Sequence, residues 1–143
     1  MILIKELFQE DFESCFEFDS KTINLWSKKQ WKSEFKKNGI KVIALFVEKE
    51  IIGICVFHVV IDEAQINYFS IHQNFRREGY GSHLMIFSIE RCRHLDLKKL
   101  SLEVSAENIA ANEFYKCFNF LTVGQRKNYY RNGVDAVLKE KFL

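Results

Sequence analysis

The apolar period of the chain changes sharply between Gln65 and Cys92. QINYFSI at 65–71 reads as a strand. From Tyr80 onward the residues Leu84, Met85, Phe87, Ser88, Ile89 and Cys92 fall at a spacing that suits a helix with one broad buried face. Two of only six glycines, Gly79 and Gly81, stand at the change, inside FSIHQNFRREGYGSHLM, in a chain that has no proline. A strand that hands over to a helix in this way points to a mixed α/β class.

The flanking segments extend that pattern. ILIKEL alternates and predicts an edge strand. Gln9 to about Ser20, polar with Phe12, Phe16 and Phe18 embedded, reads as a helix. SKKQWKSEFKKN predicts a second helix, with Ser27 as N-cap and Trp31 and Phe35 on one face. Asn38-Gly39 is expected to close it. KVIALFV and IIGICVFHVVI flank the polar turn EKE and predict a hairpin, in which Gly53 marks a bulge or a close backbone approach. After the turn DEA, QINYFSI adds a third strand to an antiparallel meander. KKLSLEV reads as a strand. NIAANEFYKCFN reads as a helix with Ala111, Phe114, Tyr115 and Phe118 on one stripe. FLTVGQRKNYY and VDAVLKEKF read as strands joined at Arg131-Asn132-Gly133, Asn-Gly being a strong hairpin signal. The predicted order is β-α-α-β-β-β-α-β-α-β-β.

The 143 residues suit a single domain over 1–143, and 48% apolar residues with fourteen phenylalanines suit an aromatic-rich core. Twenty-one basic and nineteen acidic residues leave a formal charge of +2, which gives no reason to expect a nucleic-acid surface. Cys15, Cys55, Cys92 and Cys117 are too scattered for a metal knuckle or a redox pair. No metal-ligand spacing occurs, and no apolar run nears the ~20 residues of a membrane helix. Nothing at the N-terminus resembles a signal peptide, so a reducing, cytoplasmic setting is expected. Cys92 and Cys117 fall in helix patterns and are expected in the core, and the four histidines at the surface or in loops.

Gly79 and Gly81 lie where a helix opens. The first turn of a helix has unpaired N–H groups and the positive end of the macrodipole, and so forms an anion site. Glycine admits positive φ and lets a phosphate approach the backbone. Arg76 and Arg77 add charge beside it. A plain connecting turn is the other reading of the same residues. The loop lacks both the Gly-x-Gly-x-x-Gly and the Gly-Lys-Ser/Thr patterns.

RREGYG nevertheless fits the Gln/Arg-x-x-Gly-x-Gly/Ala signature of the GCN5-related N-acetyltransferase (GNAT) superfamily, and LEVSAENIAANEFYKCFNF resembles that family's Leu-x-Val-x-x-x-Asn-x-x-Ala-x-x-x-Tyr-x-x-x-Gly-Phe segment. With DEA at 62–64, LEV at 102–104 and RKNYY at 126–130, the chain looks most like the bacterial enzymes that acetylate the N-terminal alanine of a small-subunit ribosomal protein. The resemblance runs over about residues 26–138. It implies a GNAT-like fold, with a mostly antiparallel central sheet of six to seven strands and about four flanking helices. It further implies acetyl-coenzyme A as co-substrate. Arg76, Arg77, Glu78, Gly79, Tyr80, Gly81 and Ser82 would hold the pyrophosphate, the backbone of Phe69, Ser70 and Ile71 would pair with the pantetheine arm, and Asn108 would touch the cofactor.

Asn108 and Tyr115 are seven residues apart and share a helix face to within about 20°. They can look into one cleft, or be an N-cap and a core tyrosine respectively. Glu103 alternates with Leu102 and Val104 and so turns to the opposite face. Pattern alone makes it a solvated glutamate. The resemblance makes it the general base, and Tyr115 the general acid that protonates the leaving thiolate. RKNYY would line the peptide side of the cleft, although Tyr129 and Tyr130 also read as alternating strand aromatics. Three residues depart from the family pattern on the acceptor side: Asn119 for glycine, Ser105 for arginine and Arg131 for proline. The expected activity is direct acetyl transfer to a protein N-terminal α-amine. The alternatives are a small amine, lysine or antibiotic acceptor, or a non-catalytic acyl-coenzyme A-binding regulatory module.

Overall fold

A computed structural model describes residues 1–143. The elements, in chain order, are β1 (Ile2–Leu7), α1 (Phe12–Ser20), α2 (Lys28–Glu34), β2 (Ile40–Val47), β3 (Glu50–Val60), β4 (Glu63–Ile71), α3 (Tyr80–His94), β5 (Lys99–Ser105), α4 (Ile109–Cys117), β6 (Leu121–Arg126) and β7 (Ala136–Phe142). Short 3-10 turns at Gln9–Asp11 and Gln73–Phe75 precede α1 and α3. The order of strands and α-helices matches the predicted one. All seven strands form one sheet in the order β1-β2-β3-β4-β5-β7-β6, antiparallel except for the β4–β5 pair.

The local chemistry explains the boundaries. Ser27 caps α2 by accepting from Gln30 N at 3.1 Å, while Gln30 returns a side-chain oxygen to Ser27 N at 2.7 Å. That helix ends at Glu34, earlier than the Asn38-Gly39 stop the sequence suggests. Glu48 and Lys49 both adopt positive φ, which gives the β2–β3 hairpin the twist-matched two-residue turn. The β2–β3 register slips between Leu45 and Phe46, leaving Ile52, next to Gly53, as an extra residue in β3. A Cβ on Gly53 would lie 2.5 Å from Ile71 Cδ1, so a side chain there would require the Ile71 tip to shift.

Two apolar layers cover the sheet. One joins α3 and α4 to residues such as Ile43, Phe57, Leu100 and Tyr115. The other joins α1 and α2 to Val42, Ile54, Val56 and Tyr68. Its centre is polar: the fully buried Asp19 carboxylate accepts from Leu25 N, Trp26 N, Trp31 Nε1 and Tyr68 Oη at 2.8–3.0 Å. Four donors satisfy both oxygens of a group that would otherwise be costly to bury. They also fix the 21–26 connection against the sheet.

Several expectations are corrected. Cys117 is exposed, because α4 is covered on one side only, while Cys15, Cys55 and Cys92 are buried, and all four are free thiols. Phe87 is 37% exposed, on the rim rather than within the buried face of α3. The last two strands do not run to the Asn132-Gly133 turn. Residues 127–135 form a loop closed by Gly133 N to Tyr130 O and Tyr130 N to Val134 O, so Tyr129 and Tyr130 are loop residues.

Candidate active site

β4 and β5 pair in parallel over Glu63–Ile66 and Lys99–Leu102 and no further. The cause lies in β4: its register with β3 slips between Tyr68 and Ile66, leaving Asn67 as an extra residue. A bulge bends a strand and raises its twist. Beyond it β4 stays with β3 and departs from β5, so the sheet opens at its middle. His72 N donates to Ile52 O at 2.7 Å, which makes Ser70 and His72 the residues bonded to β3. By strand alternation the backbone N–H and C=O groups of Phe69 and Ile71 then face the opening. Of the three residues expected to pair with a ligand arm, Phe69 and Ile71 offer their backbone there, and the Ser70 backbone is turned to β3. The Ile71 carbonyl accepts from Arg76 Nε at 3.0 Å, so Arg76 braces the mouth.

At that mouth α3 begins. Gly79 is the N-cap with φ +83, and no side chain caps the helix. A Cβ on Gly79 would meet nothing within 4 Å, so positive φ, rather than crowding, calls for glycine there. Arg77 also sits at positive φ (+66). His83 N returns to Gly79 O, while the N–H groups of Tyr80, Gly81 and Ser82 precede the first intrahelical bond and point outward. Arg76, Arg77 and Glu78 are exposed. Gly81 has a different role: a Cβ there would touch Phe114 and Ile71 at 3.5–3.6 Å, so it faces the packing of α3 on α4.

α4 closes one side of the opening. Asn108 is its N-cap, with Oδ1 accepting from Ala111 N at 3.1 Å, which is the bland alternative of the sequence reading. Asn112, which the sequence reading passed over, donates Nδ2 to Ser105 O and Asn108 O and ties the helix to the end of β5. Tyr115 is 8% exposed and packs edge-on against Phe69 and Phe120. Burial, and secondarily Cys55, holds its phenol well above the ordinary tyrosine range, so it carries its proton at any physiological pH.

Glu103 lies one residue past the last β4–β5 pair. Leu102 and Val104 pack on the α3–α4 side with Tyr115, so alternation turns Glu103 to the α1–α2 side. Its side chain is 19% exposed and pairs with Arg126 Nε at 3.3 Å. Burial, and next the charge of Glu103, raises the Tyr130 phenol above its usual value. On the same side, Trp26, Gln30, Ser33, Glu34, Lys37 and Asn67 line a cavity of about 490 Å³ next to the bulge. The carboxylate and the protonated phenol therefore flank one gap from opposite faces of the sheet.

The sequence model described as the Acetyltransferase (GNAT) family matches residues 3–120. The chain belongs to the GNAT family. The match starts in β1, so the first 25 residues carry more family signal than the motifs alone suggest. A Bacillus subtilis (strain 168) protein, provisionally named a [ribosomal protein bS18]-alanine N-acetyltransferase, is 32% identical over 139 residues, covering 94% of this chain and 91% of that protein. The crystal structure of the ribosomal-protein-S18-alanine N-acetyltransferase from Escherichia coli superposes with a TM-score of 0.92 at 25% identity, over 99% of this chain and 94% of that one. A Thermoplasma acidophilum GNAT-fold N-acetyltransferase solved in complex with coenzyme A shares the fold at a TM-score of 0.79 and 15% identity, over 100% and 99% of the two chains. This GNAT chain is accordingly an N-acetyltransferase. It has no cluster of three or more side chains suited to a metal, and no helix long and apolar enough to cross a membrane.

The family departures have local explanations. Asn119 adopts φ +66 after α4, a conformation asparagine tolerates second only to glycine. Ser105 accepts from Glu107 N at 3.3 Å within the β5–α4 turn, and Arg131 is exposed in the 127–135 loop.

Proposed function

We propose that this protein transfers the acetyl group of acetyl-coenzyme A directly to the N-terminal α-amine of a protein, the N-terminal alanine of a small-subunit ribosomal protein being the favoured acceptor. One observation carries the reading: the opened β4–β5 pair has Glu103 on one face and Tyr115 on the other. The ribosomal-protein names of the relatives support the choice of acceptor. The protein would work in the cytoplasm as a single domain.

The site fits the co-substrate on three counts. The α3 N-terminus is uncapped and open above Gly79, which suits a pyrophosphate held by N–H groups of residues 79–82 with Arg76 and Arg77 nearby. The Phe69 backbone and the Ile71 N–H form a strand edge without a partner strand, suited to the amides of a pantetheine arm, while the Ile71 carbonyl is held by Arg76. Asn108 spends its oxygen on the Ala111 N–H and keeps its amide N–H groups for the ligand.

When bound, acetyl-coenzyme A supplies a thioester carbonyl that an unprotonated amine attacks with loss of the thiol. The chain's task is to move two protons. Glu103 draws one from the acceptor ammonium through water. An α-amine has a pKa of about 8, so a carboxylate relay is sufficient. Tyr115 gives a proton to the departing sulfur, and the second proton that the nitrogen sheds on becoming an amide passes through solvent to restore the phenol, which burial keeps protonated between turnovers. The acceptor enters from the face that holds Glu103 and the 490 Å³ cavity, while the thiol leaves from the face of Tyr115.

Calorimetric titration with acetyl-coenzyme A, followed by a peptide with N-terminal alanine, tests the reading. Binding followed by turnover heat supports it. Binding without turnover keeps the donor and removes the acceptor. Absence of binding removes both.

A further inference from the structure

Glu103 has a cation at its side already. Arg126, in β6, approaches Glu103 Oε1 with Nε at 3.3 Å, and its side chain is 56% exposed. Its terminal nitrogens make no hydrogen bond to the chain, so the pair lacks the two-point fork that makes arginine–carboxylate pairs tenacious. Such half-exposed, single-point pairs are weak and exchange readily. The guanidinium lies 5.6 Å from the ring centroid of Tyr129, which packs edge-on against Tyr130 at 5.2 Å. Glu103, Arg126, Tyr129 and Tyr130 thus form a chain from the carboxylate to the 127–135 loop. Two other charges of this region are committed elsewhere: Asp135 accepts from Gln125 and from Asn128 N, and Lys139 donates to Thr122.

An α-amine with a pKa of about 8 arrives largely as an ammonium ion at neutral pH. It must reach the carboxylate that Arg126 holds, and two cations repel at one oxygen. We propose that Arg126 is a displaceable counter-ion, holding the cation position at Glu103 in the empty enzyme until the acceptor's ammonium takes it and frees the Tyr129–Tyr130 end of the loop. The proposal rests on the reading of Glu103 as the acceptor-side base. Arg126 is then a positioning residue that favours cationic acceptors, because a neutral acceptor cannot replace the charge it must push aside.

The test uses the full chain with Arg126→Gln and Arg126→Lys. At low ionic strength Arg126→Gln lowers the acceptor-peptide KM about three-fold relative to kcat. Arg126→Lys, which keeps a cation, stays near wild type. Roughly 0.5 M salt erases the difference, since salt screens half-exposed charges. An acceptor KM that is unchanged or raised in Arg126→Gln overturns displacement. A second readout needs no turnover: the Arg126 Nε–H resonance, assigned by its loss in Arg126→Gln, moves in Glu103→Gln. It moves likewise when an N-terminal peptide is added to the complex with unreactive desulfo-coenzyme A. A resonance that answers to Glu103→Gln but not to peptide overturns displacement while leaving the pair intact. If wild type acetylates no peptide, the acceptor reading fails on its own, and the same resonance titrated with a simple primary amine still decides the displacement.

Discussion

Ile66 and Leu102 are the last residues at which the parallel strands β4 and β5 pair. One residue on, the bulge at Asn67 carries β4 away with β3, and Glu103 is left at the rim of the gap. The reactive geometry is thus a consequence of one extra residue in one strand. Past that point the Phe69 backbone and the Ile71 N–H have no partner strand.

The proposed proton removal by Glu103 predicts a pH-dependent defect. Glu103→Gln slows turnover roughly 10²-fold at pH 7. The deficit shrinks above pH 8, where the α-amine loses its own proton. Tyr115→Phe slows turnover by a similar factor at every pH up to 9, because burial keeps the native phenol protonated throughout. Both variants keep wild-type acetyl-coenzyme A affinity. Steady-state kinetics from pH 6 to 9 check this, and a Glu103→Gln deficit independent of pH contradicts it.

The two glycines of the loop separate by experiment. Gly79→Ala places a side chain at φ +83 and strains the α3 N-terminus, by about 1 kcal/mol. It also weakens acetyl-coenzyme A binding. Gly81→Ala meets Phe114 and Ile71 at ordinary contact distance and gains helix propensity, so stability holds or rises. Thermal melts with and without ligand distinguish the two.

Asp19 organises the α1–α2 layer. Asp19→Ala leaves four donors, two of them buried, without their acceptor and costs about 3–5 kcal/mol. Tyr68→Phe removes one donor and costs about 1–2 kcal/mol. Urea unfolding measures both. A loss below 1 kcal/mol for Asp19→Ala would show that the carboxylate does not hold the layer.

Burial sets the thiol chemistry. The Cys15, Cys55 and Cys92 thiols are pushed up to about 12 from 9.0, mainly by burial, while Cys117 is exposed. One thiol in four therefore reacts with Ellman's reagent in the native protein at pH 8, and all four react in urea. The same shifts fix the alkaline limit. Above pH 9 the unfolded thiols release protons that the folded ones retain, so the unfolded state binds fewer protons and stability falls as pH rises. The buried phenols of Tyr68 and Tyr115, both raised by burial, add to the decline above pH 10. Urea midpoints in reductant from pH 7 to 11 read this directly, and a flat profile contradicts it.

Most of the fold was legible because period and turn chemistry are local. Strand alternation, the Ser27 cap and the helix after Gly79 all follow from neighbours in sequence. The β6–β7 region was less legible: Asn132-Gly133 does make the turn, but Asp135, by bonding Gln125 and Asn128, closes the loop before the strands reach it. Cys117 looked buried because periodicity marks a helix face without saying how far its cover extends. Asp19 had a signal, falling four residues after the buried Cys15 on the apolar stripe, yet an acid there is readable only once its partners 12 and 49 residues away are known. In the site, Glu103 and Tyr115 came from a motif. Their placement on opposite faces came from strand alternation plus the bulge at Asn67, and the Arg126 pair from tertiary packing that no local pattern encodes.

The central claim is transfer to a free N-terminus, and mass spectrometry tests it most directly. Purified protein and acetyl-coenzyme A are incubated with an alanine-initiated peptide containing an internal lysine, alongside the same peptide blocked at its N-terminus. The account predicts a 42-Da gain on the N-terminal residue of the free peptide and none on the blocked one. Acetylation of lysine in both peptides, or of neither, would contradict it.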